Sequence, residues 1–261
     1  MIGQCNLQSR INHLIEENSF PRFSIFVGPK GSGKKTLLLE MFEGIYLEDN
    51  KVDSVRNMIE LVYRVGNRTF IMPDADTMSN AAKNALLKVI EECPNDNYFI
   101  MTLEDENNTL ETIRSRGTVF HMDRYTPDEI VEYAHVRHIP ELRKDDVSII
   151  KELCETPGDV DLMIKMGIEE FYDYVQLVVD NIAEVSLANA FKIPSKVALK
   201  EDAEGYDLRL FWKAFMKVCF DVGKYNGIYT TAMYLQKLRV KGINRSMLMD
   251  NWVLEIRELW Q

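Results

Sequence analysis

GPKGSGKKT, Gly28 to Thr36, fits the phosphate-loop pattern G-x-x-x-x-G-K-[ST] up to its last position. The run before it, FSIFVG (23–28), is short, apolar and β-branched, and reads as a buried strand feeding the loop. KTLLLEMFEG (35–44) reads as the helix that follows, with Gly44 as its C-cap candidate. A strand, a glycine-rich loop and a helix in that order form an anion-binding turn. Gly28, Gly31 and Gly33 let backbone N–H groups turn inward at the positive end of the helix, and Lys34 adds an ammonium for terminal phosphates. The position after Lys34 should carry a hydroxyl for Mg²⁺, yet it is Lys35, with Thr36 one place further on. The stretch alone leaves two readings open: a loop that binds phosphate without turnover, or one in which Thr36 replaces the missing group.

Working outward, LQSRINHLIEE has apolar residues at 7, 11, 14 and 15, which is helical spacing. RTFIM (68–72), NYFIMTL (97–103) and GTVFHM (117–122) repeat the buried-strand signature. Between them, VDSVRNMIELVYRV (52–65) and SNAAKNALLKVIEEC (79–93) are amphipathic helices, the second with Ser79 as N-cap and Pro94 past its end. Strands alternating with helices predict a parallel sheet covered on both faces, an α/β class. After about residue 123 the strand signature stops. Short helices follow, the first with Thr126 as cap and Pro127 at N1, and from about 168 onward four longer apolar helices. The predicted division is an α/β domain over 1–122, a small helical lid over 123–166 and an all-α domain over 167–261. KEDAEGY, 200–206, is the most linker-like stretch.

The bulk composition bounds the function. With 261 residues and 46% hydrophobic composition the chain buries cores of its own. No apolar run reaches membrane-span length, and the start has no signal-peptide core, so a soluble cytoplasmic protein is expected. Cysteines 5, 93, 154 and 219 form no C-x-x-C pair, and His135 and His138 read as surface residues, so no metal site is expected. A net charge of −10 makes a poor stand-alone nucleic-acid binder, and any role near DNA is shared with more basic partners.

The run AAKNALLKVIEECPNDNYFIMT, followed by TLETIRSRG, resembles the AAA+ subunits of the bacterial DNA polymerase III clamp loader. Ile2-Gly3-Gln4 and Val52-Asp53-Ser54-Val55-Arg56 also look like family segments. The resemblance covers about residues 1–165 and implies an AAA+ fold with a helical lid and a C-terminal collar that holds subunits in a ring. It also implies the partners: motor ATPase and clamp-opening subunits, and, through the assembly, the sliding clamp and primer-template DNA. Against the motor pattern this chain departs in three places. Lys35 stands for the loop hydroxyl; Pro73-Asp74 stands for the Asp-Glu pair; and Gly158-Asp159-Val160-Asp161 puts Asp161 where a sensor arginine is expected. Asp74 and Asp76 read at least as well as a solvated turn before a helix as they do as catalytic carboxylates. Ser115-Arg116 is retained, with Gly117 in place of the usual cysteine. The pattern resembles the delta-prime type, in which little ATPase activity remains and Arg116 acts in trans as an arginine finger. No cofactor is then required, although Gly28, Gly31, Gly33, Lys34, Lys35 and Thr36 retain a place for ATP, ADP or phosphate. Two other readings stay open: an active loader ATPase using Thr36 and Asp74, and a stand-alone nucleotide-binding regulator or scaffold. Leu208, Leu210, Phe211, Phe215, Val218, Cys219, Trp252, Leu254 and Trp260 supply more apolar surface than one small domain needs, and an oligomer face is expected among them.

Overall fold

Strands buried on both faces carry continuous apolar runs, because helices cover a parallel sheet above and below. In the computed structural model this holds for β1 (Phe23–Val27), where every residue is buried. Residues 2–137, 142–198, 205–238, 240 and 242–261 are described.

In chain order the elements are α1 (Cys5–Glu16), β1, α2 (Lys34–Met41), β2 (Gly44–Tyr46), α3 (Val52–Arg64), β3 (Thr69–Met72), α4 (Asn80–Glu92), β4 (Tyr98–Leu103), α5 (Glu111–Arg114) and β5 (Thr118–His121). Then follow α6 (Pro127–Arg137), α7 (Lys144–Leu153), α8 (Pro157–Met166), α9 (Ile168–Asn181), α10 (Leu187–Ala190), β6 (Val197–Ala198), β7 (Tyr206–Asp207), α11 (Leu208–Asp221), α12 (Tyr225–Lys237) and α13 (Arg245–Trp260).

Strands β1 to β5 form one parallel sheet in the order β2-β3-β4-β1-β5. Alternation along each strand sorts its side chains to two faces. Phe23, Ile25 and Val27 join Phe70, Phe99, Met101 and the inner sides of α3 and α4 on one face. Phe26, Ile71, Ile100 and Phe120 meet Leu7, Ile11, Leu37 and Leu38 of α1 and α2 on the other. The order reverses at β1, so the loop leaving β1 opens at the switch point beyond the strand ends, where open α/β sheets place ligands.

The described residues divide into two compact units, one of residues 1–133 with 155–158, the other of 134–154 with 159–261. The stretch read as a lid, 123–166, contributes to both. The helical unit is held by an aromatic core: Trp252, Phe211, Phe215 and Trp212 are fully buried, and the Phe215 and Trp252 rings meet edge-on at 4.7 Å.

Local signals explain most boundaries. Ser79 Oγ accepts the Ala82 N–H, capping α4. Thr126 and Glu129 form a reciprocal cap at the start of α6: Glu129 N–H donates to Thr126 Oγ1, and Thr126 N–H to Glu129 Oε2.

Two expectations are corrected. Gly44 is not a C-cap: α2 ends at Met41, Phe42 is extended, and Gly44 opens the edge strand β2. Ile71 Cδ1 lies 2.6 Å from where a Cβ on Gly44 would stand, so any larger residue there would have to displace the Ile71 side chain. Strands do not stop at 123, because β6 and β7 pair over two residues each. The 200–206 linker falls mostly outside the described residues, as does His138; His135 is exposed.

Candidate functional site

The glycine-rich turn between β1 and α2 is built from the inside. Gly31 and Gly33 adopt φ of +79° and +83°, a left-handed conformation costly for side-chain-bearing residues, whereas Gly28 does not. Gly28 is instead confined by space, with Met122 Cγ 2.6 Å from the position of a Cβ.

Five successive carbonyls of the turn accept hydrogen bonds from within the same unit. Lys34 Nζ donates to Gly28 O at 2.6 Å and to Pro29 O at 3.1 Å. Thr156 Oγ1 donates to Lys30 O at 3.5 Å, Gly158 N–H to Gly31 O at 3.0 Å, and Tyr125 Oη to Ser32 O at 2.9 Å. Gly31 and Gly158 meet backbone to backbone, since a Cβ on Gly158 would stand 2.5 Å from Gly31 Cα. The N–H groups of Lys30, Gly31 and Gly33 donate to no backbone carbonyl among the described residues. Carbonyls tied back and amides left over is the polarity an anion requires.

The cations of the turn behave differently. Lys34 is buried, whereas Lys35 and Thr36 are exposed on the first turn of α2. Burial pushes the Lys34 ammonium below its usual pKa, opposed by the nearby carboxylates of Glu104, Asp74 and Asp76. Lys34→Ala is expected to destabilise the α/β unit by roughly 1–3 kcal/mol, because it leaves Gly28 O without its donor, while Pro29 O keeps the Ser32 N–H. Urea denaturation followed by circular dichroism checks this; an unchanged midpoint would mean that water replaces the ammonium.

At the end of β3, Pro73 has no side-chain oxygen to offer a metal ion. Asp74 is exposed with φ +49°, its N–H donating to Thr102 Oγ1 at 2.8 Å. The solvated-turn reading fits Asp74 but is corrected for Asp76, which is 9% exposed and whose Oδ2 accepts the Glu104 N–H at 2.7 Å, joining the β3 turn to the end of β4. Asp161 is exposed on α8 in the helical unit. Asp159 is buried there and paired with Arg209 of α11. Among the described residues no group of three or more His, Cys, Asp or Glu side chains is arranged to hold a metal ion.

Arg116 lies in the turn between α5 and β5. Its Nη1 donates to Thr112 O at 2.6 Å and its Nη2 to Glu91 Oε2 of α4 at 3.2 Å, and its side chain is 34% exposed. Gly117 follows because Ile25 and Phe23 side chains stand 2.8 to 2.9 Å from where a Cβ would be. The site residues unforeseen in sequence are Glu91, Glu104, Tyr125 and Thr156. Only Glu91 stood inside a recognised motif.

The expected apolar surplus lies elsewhere than predicted. Leu208, Leu210, Phe211, Phe215, Val218, Cys219 and Trp252 are core, and only Leu254 of that group is exposed. Exposed apolar side chains are instead Phe220, Val222, Tyr225, Tyr229 and Met233.

The α/β sheet with its glycine-rich loop and the helical unit after it have the fold of AAA+ proteins. Two solved structures share it: a DNA polymerase III gamma subunit-related protein of Thermotoga maritima (TM-score 0.51, 15% identity, 96% of this chain and 99% of that one) and the RuvB Holliday junction branch migration motor of the same organism (TM-score 0.53, 17% identity, 97% and 88%). Residues 50–126 match the family model described as DNA polymerase III, delta subunit. Curated relatives include replication factor C subunit 5 of Homo sapiens, 25% identical over 168 residues (57% of this chain and 48% of the relative). Replication factor C subunit 3 of Saccharomyces cerevisiae is 27% identical over 149 residues (50% and 43%). The chain thus spans about half the length of these relatives. In sequence it is similar to clamp-loader subunits over its α/β part. No helix among the described residues is long and apolar enough to cross a membrane.

Proposed function

We propose that the chain is an ATPase-deficient, delta-prime-like subunit of a sliding-clamp loader in DNA replication, and that it presents Arg116 to the nucleotide of an adjacent motor subunit. The observation that carries the proposal is a double loss around the metal seat. Lys35 takes the hydroxyl's place on α2, and Pro73 takes a carboxylate's place at the end of β3. Phosphoryl transfer is catalysed mostly by positioning and charge stabilisation, with Mg²⁺ bridging the phosphates. A second ammonium where a metal ligand belongs opposes that charge arrangement. The tied-back loop suits a phosphate-bearing ligand held without turnover, so ATP or ADP binding is compatible with the proposal and not required by it.

Within such an assembly the exposed aromatic side chains of α11 and α12 offer a face to other subunits. An acidic chain adds little direct attraction for DNA, so contact with primer-template and clamp belongs to the complex. Function beside replicating DNA in the cytoplasm is part of the same proposal.

The purified chain should hydrolyse ATP no faster than buffer alone. The measurement is steady-state phosphate release from the wild type and from Lys34→Ala. Turnover that disappears with Lys34 would overturn the proposal and favour an active ATPase built on Thr36 and Asp74.

A further inference from the structure

Arg116 carries five N–H donors in a rigid plane. Two are committed inside its own unit, one on Nη1 to Thr112 O and one on Nη2 to Glu91 Oε2. These bonds hold the guanidinium from two directions, from the carbonyl of α5 beneath it and from a carboxylate on the last turn of α4. The side chain is one-third exposed, which leaves part of the guanidinium open to solvent. A free arginine samples many rotamers, and one held at both Nη atoms keeps a single plane.

We infer that Glu91 is a positioning residue for Arg116, orienting its guanidinium toward the phosphate of a neighbouring subunit. The inference rests on the arginine-finger reading proposed above. Glu91 touches no nucleotide in this scheme and acts only through Arg116. The next residue, Glu92, has the same charge but different partners: Tyr63 Oη donates to it at 3.0 Å, and Lys88 lies 3.8 Å away. The two carboxylates therefore separate a geometric effect from an effect of net charge.

The test uses the loader complex reconstituted with full-length variants of this chain, reading DNA-stimulated ATP hydrolysis. Glu91→Ala should lower kcat at the interface fed by Arg116 by about three- to tenfold, the cost of immobilising one long side chain afresh, with KM unchanged. Glu91→Gln keeps an oxygen acceptor and should recover most of the rate. Glu92→Ala should be silent, and Glu91→Ala should have no further effect in an Arg116→Ala background. Glu91 is largely exposed, so thermal unfolding should be unchanged and each variant should assemble.

If Arg116→Ala depresses the rate and Glu91→Ala does not, the positioning role is wrong and the finger stands. If Arg116→Ala has no effect, the finger reading itself fails. A rise in rate with Glu91→Ala would overturn the inference in the other direction, making Glu91 a carboxylate that withholds the arginine.

Discussion

Arg116→Ala should reduce ATP hydrolysis at the neighbouring subunit's site by on the order of 10³–10⁵, the range an arginine supplied in trans contributes to phosphoryl transfer. The chain's fold should hardly respond. Arg116 is partly exposed, its ion pair with Glu91 is solvent-screened, and such pairs contribute about 0–1 kcal/mol. Arg116→Lys should rescue little. A lysine ammonium has no planar fork, so it cannot hold Thr112 O and Glu91 while still facing an oxyanion. The readout is phosphate release by the reconstituted complex on primed DNA, with assembly confirmed by size-exclusion chromatography. On the proposed finger role, total turnover should fall only by the share of the one interface that Arg116 would serve. Full activity in an assembled Arg116→Ala complex would leave Arg116 as a surface residue tied to Glu91, and the chain as a scaffold.

Arg116 stands in a short motif that the sequence displays, whereas its pairing with Glu91 has no local sequence signal. Glu91 is 25 residues away on another helix, and only the packing of α4 beside α5 brings the two together. The same separation hid the fastening of the phosphate loop. Tyr125 is 93 residues from Ser32, and Thr156 is 126 from Lys30, so no local pattern links either donor to the carbonyl it serves. The sheet was far easier to read. Strands β1, β3 and β4 are buried on both faces, which forces mostly apolar runs interrupted only by Ser24, Thr69 and Thr102. The edge strand β2 lacks that pressure: three residues, none of them buried, carry no run to detect. Helix α12 begins at Tyr225 and takes Gly227 into its first turn. In the fold Gly227 lies under the Trp260 ring, where a Cβ would stand 2.7 Å from the ring carbon Cζ2. For the last helices, periodicity showed which residues are apolar but not which face is covered. Phe211 and Phe215 are core, while Tyr225 and Tyr229 remain exposed.

That aromatic core yields the largest expected effect on stability. Trp252 is fully buried among Phe211, Phe215 and Trp212, with ring centroids 5.7, 4.7 and 6.1 Å away. Its Nε1 donates to Thr231 Oγ1 at 3.0 Å, joining α13 to α12. Trp252→Ala removes the shared partner of three rings and leaves a cavity, costing about 3–5 kcal/mol. Trp252→Phe restores part of the ring volume but abandons the Thr231 bond, so its cost should be intermediate. The chain's three tryptophans, Trp212, Trp252 and Trp260, all lie in the helical unit. Tryptophan fluorescence therefore reports on that unit alone, and Trp212 and Trp260 remain as probes in both variants. In urea the fluorescence midpoint should shift strongly for Trp252→Ala and less for Trp252→Phe. Equal midpoints for wild type and Trp252→Ala would show that α11, α12 and α13 do not depend on this cluster. A strong shift would tie the exposed face of α12 to the core beneath it, because Gly227, Thr231 and Tyr234 are the buried side of the same helix that carries Tyr225, Tyr229 and Met233 outward.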